Sequence, residues 1–166
     1  MNDELKSYLS MIDDLRSQVI TLLEGLPAEA LNWRPIESEQ DHVTNTLAVM
    51  TAHIAGAEHY WAAEVVAEDP ATRIREEEFE VKASDSAELI ELLNKTGRET
   101  RQMIENLSAE ALESSRRAGD RTVAVRWALL HIIDHTALHL GHMQLTLQLW
   151  QGGQTGESPR WFERVQ

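Results

Sequence analysis

Cysteine is absent from all 166 residues, which excludes disulfides, thiolate metal ligands and a protein-borne thiol nucleophile. Basic residues are scarce: 15 Lys and Arg stand against 28 Asp and Glu, a formal charge of −13. A chain this acidic offers no basic face to nucleic acid or to an anionic membrane, and either would repel it. Long apolar runs are missing as well. None approaches the ~18 residues that span a bilayer. The opening residues, Met-Asn-Asp-Glu-Leu-Lys, are acidic and polar where a secretory leader would be basic and then apolar. The expectation is a cytoplasmic protein. With 42% hydrophobic residues, a chain of this length can bury a core within one domain.

What is present reads as four long helices. Leu5, Tyr8, Ile12, Leu15, Val19 and Leu22 recur three and four apart, which predicts a helix from about Asp3 to Glu24, ended by Gly25 and Pro27. A second helix is expected from near Asp41 to Asp69-Pro70, carrying Val43, Leu47, Met50, Ile54, Ala57 and Trp61. Asp85 with Glu88 resembles a capping box that opens a third, running to about Leu107 along Leu89, Leu93, Thr96, Thr100 and Met103. The fourth, from about Thr122 to Gln151, is apolar almost all round and should be the most buried. Between the second and third lies a long connection whose acidic run, Glu76 to Glu78, reads as solvated surface. The fold class is therefore all-α: a four-helix bundle over residues 1–151 with a long crossover between its two hairpins. Residues 152–166, with Trp161 and Phe162, form a tail packed on the bundle or at a dimer contact. A short repeat supports the paired hairpins. Leu26-Pro-Ala-Glu-Ala-Leu31 returns 81 residues later as Leu107-Ser-Ala-Glu-Ala-Leu112, and the same offset carries His53 to within one residue of His135.

The chemistry gathers in the fourth helix. His131, His135, His139 and His142 fall within an arc of about 80° at about 100° per residue. Burying so many imidazoles without a shared partner would strand several polar nitrogens, so a divalent metal is the first reading. Spacing leaves three chelating pairs open: His131 with His135, His135 with His139, and His139 with His142. On the second helix His53 faces the interior or its edge, His59 points toward solvent, and His42 sits at the helix start.

The stretch Asp134-His135-Thr-Ala-Leu-His139-Leu-Gly-His142 resembles the closing motif of DinB/YfiT-like proteins. The segment Asn45 to His53 is similar to that family's other motif, a helix ending on a ligand histidine, and Leu31-Asn-Trp33-Arg-Pro35 resembles its entry. The resemblance covers residues 1–151. It implies a four-helix bundle holding one divalent ion, zinc or nickel, on His53, His135 and His139. Two departures bear on the site: Leu140 stands where the family often has Arg, and His142 where it has Gln. The family also implies a homodimer and a low-molecular-weight thiol, such as mycothiol or bacillithiol, as co-substrate.

Three neutral imidazoles leave an ion its full charge and an open position, the pattern of catalytic sites. The expected function is a metal-dependent enzyme that activates such a thiol for transfer to, or isomerisation of, a small-molecule substrate. Two alternatives stand beside it: a metal-dependent hydrolase, and a non-catalytic metal-binding or stress-response bundle. Hydrolysis needs a general base. Asp134 and Glu58 point roughly 100° to 140° from neighbouring ligands, and Glu64 lies ~16 Å along the axis from His53.

Overall fold

Three of the long helices begin where a side chain can satisfy the first free amides. Asn2 accepts from the Leu5 amide at 2.9 Å, Thr46 from Val49 at 3.1 Å, and Asp85 from Ala87 and Glu88 at 2.9 and 3.2 Å. The computed structural model describes residues 1–36 and 44–153. Its long helices are α1 (Asp3–Leu23), α3 (Leu47–His59), α4 (Ser86–Asn106) and α5 (Val125–Trp150), and the one-turn α2 (Ala28–Leu31) follows α1. Both α1 and α3 pack on α4 and on α5, so α1 and α3 stand diagonally opposed in a four-helix bundle. The crossover runs from the end of the α3 segment to α4, as the sequence predicts. Expectations about His42, and about Trp161 and Phe162 in the tail, lie outside the described residues.

Three elements differ from the sequence reading. Helix α3 begins at Leu47 and continues beyond His59 as a wider turn over Tyr60–Val66, where the Ala67 amide reaches back five residues to the Ala62 carbonyl. Residues expected to open the last helix instead form a hairpin, β1 (Ser115–Ala118) antiparallel to β2 (Arg121–Ala124). The Val125 amide then bonds the Ser114 carbonyl at 3.0 Å, so a main-chain contact opens α5. Nor is α5 the most buried helix. Leu138 and Leu145 are 57% and 54% exposed, whereas ten of the thirteen residues of α3 are buried. Helix α3, read from its sequence as carrying one apolar stripe, is buried on nearly every face, and this shorter helix took the enclosed position.

The core has two apolar clusters. One joins Val19 and Leu23 of α1, Leu47 and Ile54 of α3, Leu93 of α4 and Met143 of α5. The other joins Leu5 and Ile12 to Ile104, Leu129 and Ile132. Polar side chains occupy the level between them: Arg16, Glu58, Thr96, Thr100 and Thr136 are all buried. The two threonines in the α4 stripe belong to this layer. The Glu58 carboxylate accepts from the Arg16 guanidinium across the α1–α3 diagonal, and Gly97 makes room, since a Cβ there would stand 2.5 Å from Arg16 Nη1. Asn32 ties the crossover down by accepting from the Ala83 amide at 3.0 Å and donating to its carbonyl at 2.8 Å.

Candidate metal centre

Where α3 meets α5, three imidazoles converge. His53 comes from α3, and His135 and His139 come from successive turns of α5. One ligand nitrogen from each lies within 4.8 Å of the others, and all three rings are partly buried. Ring centroids stand 4.9 Å apart for His53 and His135, 5.0 Å for His53 and His139, and 4.5 Å for His135 and His139.

Protons on these rings follow from their neighbours. His53 Nδ1 lies 2.8 Å from Glu78 Oε2, and a carboxylate only accepts, so Nδ1 carries a hydrogen and Nε2 is the nitrogen left to face a metal. Nε2 stands 3.2 Å from His135 Nε2. The separation is close to the edge, about 3.3 Å, of a tetrahedron whose imidazole nitrogens stand ~2.05 Å from zinc. Burial, reinforced by the charges His139 and His53 would carry, lowers the His135 pKa to about 3. Burial and then His53 lower His139 to about 4. Both are therefore neutral, as ligation requires. His139 Nδ1 is buried with no hydrogen-bond partner, a group whose lone pair or proton is unsatisfied within the described residues. These donors fit a divalent ion: they converge, two of them are neutral, and His139 is incompletely satisfied by the described residues.

A pH dependence follows. Native pKa values below the unfolded ~6.5 mean that the unfolded chain binds more protons, so stability is full above that pH and falls as pH drops toward the native values. Metal-free protein should lose more stability between about pH 6.5 and about pH 5 than a His135→Gln, His139→Gln variant, read from urea midpoints. Parallel midpoints in the two proteins would contradict the burial argument.

The remaining histidines lie elsewhere. His131 stacks on Trp127 at 4.8 Å and 11°, and meets Trp61 edge-on at 5.1 Å, so it belongs to an aromatic cluster beside the site. His142 is exposed, its ring 5.7 Å from that of His139. His59, expected to face solvent, is instead half-buried: Nε2 lies 2.9 Å from Thr72 Oγ1, and Nδ1 3.3 Å from Glu99. The carboxylates weighed as bases are employed elsewhere or exposed. Glu58 is bound by Arg16, Asp134 faces outward, and Glu64 accepts from the Thr72 and Arg73 amides at 2.6 and 2.7 Å.

Glu78 is the residue sequence reasoning missed. The acidic run is solvated at Glu76 and Glu77, but Glu78 is 7% exposed. A 3-10 turn, Arg75–Glu80, rotates it inward, where Arg73 donates to it from Nε at 2.5 Å and Nη2 at 2.9 Å. Phe79 of the same turn stands 5.4 Å from the His53 ring. No local periodicity in a run of like charges marks which member turns inward.

Residues 7–152 match the sequence family described as mycothiol-S-transferase. Among solved structures, the fold is similar to that of a conserved protein from Enterococcus faecalis, with a TM-score of 0.74 at 14% identity over 92% of this chain and 99% of that one. A DinB-like protein from Bacillus cereus ATCC 10987 gives a TM-score of 0.70 at 13% identity, over 93% of this chain and 97% of that one. Another, from Bacillus subtilis, gives 0.68 at 19%, over 93% and 96%. Likeness at these identities establishes a shared DinB-like fold. No curated protein matches the chain significantly.

Proposed function

The chain belongs to the mycothiol-S-transferase family, and from that premise we propose that it is a metal-dependent enzyme joining a low-molecular-weight thiol to an electrophilic small molecule. The observation that carries the reading is the grouping of His53, His135 and His139, with one nitrogen from each within 4.8 Å of the others, in a chain with no thiolate of its own. These three residues would hold the ion, zinc or nickel, through neutral nitrogens. A divalent ion bound there would supply Lewis acidity, lowering the pKa of a thiol at its open position so that the thiolate predominates near neutral pH. The protein's own part is to orient and to exclude water. Neutral His135 and His139 add no charge of their own, and the rings of Trp61, Trp127 and His131 stack or meet edge-on beside them. Hydrolysis is the weaker reading, because Glu58 and Glu64 are both held in other bonds.

The proposal includes a cytoplasmic setting, where such thiols are kept reduced. It also includes a homodimer, supported by the exposed stripe Leu138, Leu145 and Leu149 on α5.

Untagged protein should copurify with a divalent ion. It should then accelerate consumption of mycothiol, bacillithiol or glutathione against a panel of electrophiles, and a chelator should abolish the acceleration. Consumption of all three thiols at the uncatalysed rate would overturn the transferase reading.

A further inference from the structure

We propose that Glu78 is the positioning residue of the three-histidine site, holding the His53 ring in its ligating orientation and tying the crossover to the occupancy of the site. The inference rests on the metal-binding part of the reading above.

Burying a carboxylate is costly unless every oxygen is bonded. Here both oxygens are bonded: Oε1 accepts from Arg73 Nε at 2.5 Å, and Oε2 accepts from Arg73 Nη2 at 2.9 Å and from His53 Nδ1 at 2.8 Å. Arg73 thus fixes the carboxylate, and the carboxylate fixes the imidazole. Helix α3 is shaped to receive it. Gly56, three residues after His53, leaves bare backbone under Glu78, and a Cβ there would come within 2.7 Å of the carboxylate carbon and closer still to Oε1. One face of one helical turn therefore presents both the ring and the space for the group that orients it.

A cleft of about 330 Å³ lies beside Glu78 and Arg73, between the crossover, α3 and α4, lined also by Ala55, Thr72, Leu92 and Thr96. The bond of Glu78 to His53, with Phe79 packed 5.4 Å from the same ring, attaches the Arg75–Glu80 turn to α3. A carboxylate on Nδ1–H raises the basicity of the imidazole at its other nitrogen, and outer partners of this kind change metal affinity by about 10- to 100-fold. Coupling is reciprocal: an ion bound more tightly because Glu78 is in place must in turn hold Glu78, and its turn, in place.

The test is zinc affinity, read by competition with a chromophoric chelator, together with amide hydrogen exchange across residues 73–81. Two variants approach the bond from opposite sides. Glu78→Gln removes the charge, and Gly56→Ala leaves Glu78 and Arg73 chemically intact but displaces the carboxylate. Both should bind zinc about 10- to 100-fold more weakly than wild type, with helical circular dichroism retained. Zinc should slow exchange in the Arg75–Glu80 turn of wild type and leave it unchanged in both variants. Folded variants that bind zinc within about threefold of wild type would overturn the positioning role alone. A wild-type protein that binds neither zinc nor nickel would overturn the metal site itself, and with it this inference.

Discussion

Replacing His139 with alanine should lower divalent-metal affinity more than a hundredfold while leaving the bundle folded. The lower bound comes from outer partners, which already cost about 10- to 100-fold; a residue that itself offers the lone pair must cost more. The fold should persist because neither apolar cluster includes His53, His135 or His139. Removing the ring also removes the buried, unpartnered Nδ1, which offsets the lost packing. Metal-free stability should therefore change by no more than about 1 kcal/mol. Metal content by mass spectrometry and urea midpoints of the metal-free proteins check the two halves separately. Thiol consumption should fall with the metal. Unfolding of the variant in metal-free buffer would mark the histidine as a structural member, and full metal content would remove it from the ligand set.

The second large effect lies at the centre of the bundle. Glu58→Ala should destabilise the protein by about 3 kcal/mol, the low end for breaking a buried pair, because it leaves the buried Arg16 guanidinium with the more exposed Asp13 as its remaining carboxylate. Burial alone would lower the Arg16 pKa, yet the charge and hydrogen bonds of Glu58, with Asp13, hold it above the ordinary value. A guanidinium keeps its proton throughout the accessible pH range, so Arg16 cannot escape the cost by losing it. The double variant Arg16→Met, Glu58→Leu should recover most of the loss, since a buried pair exchanged whole for apolar side chains is often neutral. A double-mutant cycle in urea reads the coupling directly. Equal losses in the single and double variants would show that the pair contributes little beyond its volume. Zinc affinity of the folded fraction should be untouched in both, which separates this layer from the histidine site.

Local pattern carried much of this protein. Apolar spacing, Gly25, Pro27 and the Asp85 cap were enough to place α1, α4 and the crossover, because helix faces and caps depend on neighbours within a turn. Four histidines on one strip were likewise visible as a cluster. Spacing alone left three chelating pairs open, and the family resemblance, not the spacing, singled out His53, His135 and His139. What the chain order could not contain was decided by packing between segments far apart in sequence. Burial of Glu78 depends on Gly56 offering bare backbone 22 residues earlier, and on Arg73. Pairing of Arg16 with Glu58 spans 42 residues and needs Gly97 from a third helix. Likewise α5 was the helix read as apolar all round, and only the positions in the square determined that α3 was enclosed instead. The reason is physical: periodicity records which face of an element avoids water, while a buried charge is tolerated only where distant groups supply its partners.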